Sequence, residues 1–178
     1  SNYKNLMLIL RFDFRLKQGS PTTMQELYST ALDMCQWGER NNAATAMFSE
    51  HHSSPDGYLP SPLIMAAAAA ARTETLTFNV GALLLLMYDP VKLAEDIAVL
   101  DHLSSGRIGY TIGLGYREEE YAMFGIDSKQ RGKEIEERIR TLRNALTGKP
   151  FEWRGRQIQI QPKPVSYTHL TLPTTYEV

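Results

Sequence analysis

The stretch from Thr75 to Tyr116, "TLTFNVGALLLLMYDPVKLAEDIAVLDHLSSGRIGYTIGLGY", decides the fold. Thr75 to Leu86 is β-branched and leucine-rich and reads as a strand running through Gly81. Asp89 and Pro90 supply a cap and a first helical turn, and the helix they open closes near Gly106. Ile108 to about Ile112 is a further strand, running into the glycine turn Gly113-Leu114-Gly115-Tyr116. Strand, helix and strand in succession make a βαβ unit, with parallel strands and a right-handed crossover.

The pattern extends in both directions. Leu6 to Phe12 is a compact apolar run that reads as a buried strand, and Gly19 to Thr23 supply turn and cap residues. Met24, Leu27, Tyr28, Ala31 and Met34 or Cys35 then recur at helical spacing. Ala43 to Phe48 forms a second short strand, and Ser61 to Ala71 an alanine-rich helix with Pro62 in its first turn. Between Ser128 and Thr147, Ile135, Ile139, Leu142 and Leu146 make one apolar stripe, which Gly148 and Pro150 stop. Phe151 to Pro164 reads as a small hairpin turning near Gly155. Strand and helix thus alternate four times, which predicts an α/β fold. It is either a doubly wound sheet or part of a (β/α)8 barrel. A complete barrel needs about 250 residues, so 178 residues supply about half of one.

Composition narrows the class. With 43% hydrophobic and 22% charged residues the chain can bury the core of one domain. A formal net charge of -1, with both signs scattered, predicts no nucleic-acid or anionic-membrane partner. Cys35 is the only cysteine, which excludes an internal disulfide and a multi-cysteine metal cluster and favours a cytoplasmic location. No apolar run reaches the ~20 residues of a membrane span, and "SNYKNLMLILRFDFR" lacks the features of a signal peptide. The missing initiator Met predicts that a few residues there are absent or replaced.

In either architecture, chemistry gathers where parallel strands end. Glu50, His51 and His52 follow the second strand. Successive side chains leaving a strand point to opposite sides, so one histidine is expected at the mouth and the other packed outward. That disfavours a two-histidine chelate, and no H-E-x-x-H partner is present; no metal site is expected. A polar loop that bonds itself is the alternative. Gly113 to Tyr116 could bring backbone N–H groups to an aromatic cofactor or an anion, yet it matches neither a dinucleotide fingerprint nor a P-loop. Gly81 and Ala82 could mark a bulge or a place where a flat ligand meets the backbone. The run Arg117 to Tyr121, "REEEY", reads as a solvated helix start.

The blocks "SEHHSSPDGYLPSPLIMAAAAAARTETLTFNVGALLLL", "DPVKLAEDIAVLDHLSSGRIGYTIGLGY", "EEEYAMFGID" and "RGKEIEERIRTLRNALTGKP" resemble, in order and spacing, the luciferase-like monooxygenase family. The resemblance runs from about Leu6 to Pro164. It implies a (β/α)8 barrel, of which this chain carries roughly the first four βα units plus the hairpin. It further implies reduced flavin (FMN) as cofactor, often delivered by a separate flavin reductase, with O2 and a small organic molecule as substrates and a homodimeric parent. Some relatives use a deazaflavin as dehydrogenases or reductases, and a non-catalytic flavin-binding protein is a third reading. By position, His51 matches the family's catalytic histidine and Glu50 its acidic neighbour. Gly81 and Ala82 match a non-prolyl cis peptide beneath the flavin ring, and Gly113 and Leu114 the strand-four end bordering it. Bacterial luciferase has a reactive cysteine and a phosphate-binding arginine at that strand end; this sequence has neither, so light emission is not expected. Leu83 to Met87 are expected to help wall a dry pocket.

The run Val165 to Thr174, "VSYTHLTLPT", resembles the translation of a transposase adapter used in sequencing libraries. Residues 1–164 are therefore expected to be the N-terminal half of the barrel, and 165–178 a non-native tail in which His169 is no site. Half a barrel would leave strands one and four as open edges. Poor flavin binding, self-association and an inactive truncated chain are expected.

Overall fold

Four parallel strands, β1 (Ile9–Phe12), β2 (Thr45–Phe48), β3 (Phe78–Leu84) and β4 (Ile108–Gly113), lie side by side in sequence order. The computed structural model describes residues 7–165 and the backbone of 170–171. Helices α1 (Met24–Arg40), α2 (Pro62–Ala71) and α3 (Pro90–Ser104) make the crossovers between successive strands. After β4 come the short α4 (Glu118–Met123), α5 (Arg131–Leu146) and an antiparallel hairpin of β5 (Phe151–Trp153) and β6 (Arg156–Ile158). The backbone of β7 (Leu170–Thr171) pairs parallel with Tyr110 and Thr111 of β4. The expected open edge at strand four is therefore closed over those residues, while β1 remains at the sheet margin. The expected start of strand one at Leu6, and His169 with most of the tail, lie outside the described residues.

The elements begin and end where side chains can satisfy the backbone. Thr23 caps α1 by accepting the Glu26 N–H at 3.2 Å, while Glu26 accepts the Thr23 N–H at 2.7 Å, a reciprocal capping box. Asp89 accepts the N–H groups of Val91 and Lys92 at 2.8 and 3.2 Å, with Pro90 in the first turn of α3.

Register then decides which face is core. Leu10, Ala46, Phe78 and Ile108 form one row across the sheet, and Phe12, Phe48, Val80 and Tyr110 the next. Seven of these eight are buried, and Phe12 is half-buried. Phe48 lies between Phe12 and Phe78 at centroid distances of 5.7 and 6.0 Å. Arg11, Met47, Asn79 and Gly109 alternate with them on the opposite face and are half-buried or exposed. Beyond β3, Leu83 to Met87 are at most 9% exposed and join the buried core cluster. The expected pocket wall is thus core: a 3-10 turn at Leu85–Met87 packs these side chains against α5.

The amino ends of the strands are tied by two charges. Arg107, just before β4, directs five hydrogen bonds at Ser104 O, Thr73 Oγ1, Leu76 O, Ala70 O and Thr73 O, at 2.7 to 3.1 Å. One oxygen of Glu39 accepts the N–H groups of Glu74, Thr75 and Leu76 at 2.9, 2.6 and 2.8 Å, shaping the loop that feeds β3.

Candidate active site

At the opposite, carboxyl ends of the strands, Glu50, His51 and His52 leave β2 in alternating directions. Glu50 is 2% exposed and has both oxygens bonded. One accepts the Leu84 N–H at 2.9 Å; the other accepts the Tyr88 hydroxyl at 3.0 Å and pairs with His52 Nε2 at 2.6 Å. Glu50 is thus a tie between the ends of β2 and β3. Burial, reinforced by the Glu50 charge and hydrogen bond, pushes the Tyr88 hydroxyl far up, so it stays a donor to that carboxylate. His52 is buried, its ring edge-on to Phe124 at 4.8 Å.

His51 is the more exposed member of the pair, with its side chain 18% exposed. Its Nδ1 lies 2.8 Å from Glu120 Oε1, and Tyr58 and Tyr116 flank the ring edge-on at 4.8 and 5.6 Å. Among the described residues nothing bonds Nε2. Glu120 is fully buried, and the same oxygen accepts the His52 backbone N–H at 2.7 Å. Arg117 places its guanidinium 3.7 Å from that oxygen and donates to the His52 carbonyl at 3.5 Å.

Glu120 corrects the sequence reading. Glu118 and Glu119 are exposed, as expected of a helix start, but the third carboxylate of "REEEY" turns inward. The signal was the neighbouring apolar pair: Tyr121 is 1% exposed and Phe124 meets His52, so one side of this short helix faces the site. Glu120 flanks that side.

A floor of small residues lies at the ends of β3 and β4. The Gly81–Ala82 peptide is cis, as the family resemblance implied. The β3–β4 register shifts between Gly81 and Leu83, leaving Ala82 without a partner and Leu84 opposite Gly113. A Cβ at position 113 would sit 2.6 Å from the Ala82 methyl, so only glycine fits there. Leu114 is half-buried, its carbonyl accepting the Tyr121 hydroxyl at 3.3 Å, and Gly115 takes φ +84° to turn the chain into α4. All the sequence-predicted site residues thus lie at one end of the sheet. Among the described residues no cluster of three or more His, Cys, Asp or Glu could hold a metal ion, and no helix is long and apolar enough to cross a membrane. Cys35 is buried in α1, its thiol pushed up to about 11 by burial.

These features define a parallel α/β barrel-type arrangement with its site at the carboxyl ends of the strands. The profile described as luciferase-like monooxygenase matches residues 8–176, and the chain belongs to that family. It is 28% identical over 146 residues to the oxygenase component of the flavin-dependent trigonelline monooxygenase of Acinetobacter baylyi, covering 81% of this chain and 40% of that one. It is 31% identical over 117 residues to limonene 1,2-monooxygenase of Rhodococcus erythropolis, covering 66% of this chain and 30% of that one. The solved oxygenating constituent of 3,6-diketocamphane monooxygenase from Pseudomonas putida, in complex with FMN, shares the fold with a TM-score of 0.81 at 21% identity. That match covers 93% of this chain and 51% of the other. The chain spans less than half the length of the curated relatives named and about half that of the solved structure.

Proposed function

We propose that this chain is the N-terminal half of a flavin-dependent monooxygenase that oxidises a small organic substrate with O2, with His51 handling the proton. One observation carries the reading: His51 is fixed through Nδ1 by a buried carboxylate while, among the described residues, nothing bonds its Nε2. An imidazole so held presents its second nitrogen to a reacting group, in place to take a proton from it or return one.

The strand-end floor fits a flat cofactor. Gly81, Ala82 and Gly113 present backbone and one methyl where larger side chains would stand, and Gly113 leaves no space for a Cβ. These residues, with Leu114, would hold reduced FMN, which when bound supplies the electrons for oxygen activation. Glu50 acts by bracing His52 and the end of β3. Named relatives that are a flavin-dependent oxygenase component and an FMN complex support this cofactor over a deazaflavin and a separate reductase as its source. The outward face of α2, with Ile64, Ala67, Ala68 and Ala71 half-buried or exposed and apolar, supports a homodimeric parent. Residues 165–178 read as adapter-encoded, and the flavin phosphate loops would come from later strands. Without those loops this chain by itself is expected to be inactive, and its single cysteine supports a cytoplasmic location.

The test uses the whole parent enzyme, its reading frame recovered from the source DNA. His51→Ala, with saturating reduced FMN, is expected to slow substrate oxidation about 10²–10⁴-fold. An unchanged rate overturns the assignment. Oxidation driven only by a reduced deazaflavin would replace FMN with that cofactor.

A further inference from the structure

We propose that Glu120 is a positioning residue that locks His51 as the Nδ1–H tautomer, opposite to its neighbour His52, which Glu50 holds as Nε2–H. The inference builds on the reading of His51 as the proton-handling group, but concerns a property of the ring that exists without cofactor.

The argument starts from a donor with no tautomer. The backbone N–H of His52 can only donate, and it points at Glu120 Oε1 from 2.7 Å. That oxygen is therefore an acceptor. His51 Nδ1 faces the same oxygen at 2.8 Å. A bare Nδ1 would set two lone pairs against each other at hydrogen-bond distance, so Nδ1 carries the proton. The Arg117 guanidinium, 3.7 Å from this oxygen, adds positive charge that suits an ionised acceptor. In neutral His51 the lone pair then resides on Nε2, the nitrogen that is unbonded among the described residues. A histidine's second nitrogen is set by the bond the first one makes. Tyr58 and Tyr116 hold the ring plane, so both tautomer and direction are fixed.

His52 is set the other way. Its Nε2 meets Glu50 Oε1 at 2.6 Å, an oxygen that also takes the Tyr88 hydroxyl. By the same reasoning Nε2 carries the proton, and this ring offers nothing to the mouth.

Burial argues that the arrangement serves orientation. Glu120 is fully buried, yet among the described residues its second oxygen has no hydrogen-bond partner. A carboxylate placed for stability alone would have both oxygens satisfied, as Glu50 does.

The experiment is magic-angle-spinning NMR of protein labelled with 15N and 13C in histidine, which reads tautomers in soluble or sedimented material alike. The chain has 4 histidines, assigned by single substitutions. Above the histidine titration range, His51 is expected as the Nδ1–H form and His52 as the Nε2–H form. Finding His51 as Nε2–H in the unsubstituted protein overturns the proposal, with no variant needed. Glu120→Leu removes the acceptor at similar volume and is expected to move His51 to the Nε2–H form while His52 keeps its signals; an unmoved His51 tautomer also overturns it. In the parent enzyme Glu120→Leu should lower kcat with KM little changed, and Glu120→Asp should recover part of the loss. A parent without oxygenase activity but with the expected tautomers would sink the proposed function and leave this inference standing.

Discussion

The two ends of the sheet both carry buried or half-buried charge, and they use it in opposite ways. At the amino ends, Arg107 sends five hydrogen bonds into carbonyls and one hydroxyl, and a single Glu39 oxygen gathers three backbone N–H groups. The partners there lie at the ends of α2 and α3 and in the loop that leads into β3. At the carboxyl ends, Glu50 and Glu120 hold imidazoles, and among the described residues three polar atoms are without partners: Glu120 Oε2 and Ser49 Oγ in buried surroundings, and His51 Nε2. A closed hydrogen-bond set stabilises a fold; an open one is what a reacting molecule can complete.

The comparison breaks most visibly at Arg107. Replacing it by Met leaves the carbonyls at the end of α2 and the start of β3 without their donor, and should cost about 3 kcal/mol of folding stability. A denaturant melt would measure it, with the His51 tautomer unchanged in the folded fraction. A melting point within a degree of the unsubstituted chain would mean that the amino-end network is ornamental and the contrast between the two ends false.

Glu39→Gln should have a smaller effect, about 1 kcal/mol at neutral pH. Burial is the largest single influence on this carboxyl and pushes it up, but the N–H groups of Thr75, Leu76 and Glu74 and the Thr75 hydroxyl outweigh it and hold it down to about 2. The folded value lies below the unfolded one, so the contribution is full above about 4.5 and is lost as pH falls from there through about 2. Thermal melts of both proteins across that window should therefore converge at the acid end. Parallel melting curves down to the lowest pH would show that Glu39 contributes through shape and not through charge.

Much of this was legible in the chain. Apolar runs marked Ala43 to Phe48 and Thr75 to Leu86 as strands, Asp89-Pro90 marked the start of α3, and the doublet Glu50-His51 stood where a parallel strand ends. That the two histidines turn to different partners followed from strand geometry; which of them is the more exposed did not. Two things were not legible, for one physical reason. Leu83 to Met87 looked like a pocket wall because the sequence does not say which side α5 will cover, and Glu120 looked solvated because a carboxylate's burial depends on partners 68 and 69 residues away. Local pattern encodes faces; it does not encode what a face will meet.

The smallest expected effect sharpens that point. Glu118, Glu119 and Glu120 are chemically identical and consecutive, and local reasoning gives all three the same role at the start of α4. Only Glu120 has exchanged water for imidazole and backbone donors, because a turn of about 100° per residue carries it to the side where Tyr121 is buried. Glu118 stays exposed with nothing to lose but a favourable place near the helix start. Glu118→Gln should therefore change stability by less than about 0.5 kcal/mol and leave both histidine tautomers where they were. If Glu118→Gln instead moved His51 as Glu120→Leu does, the histidine would be sensing the summed charge of α4. The single hydrogen bond would then not be what orients it.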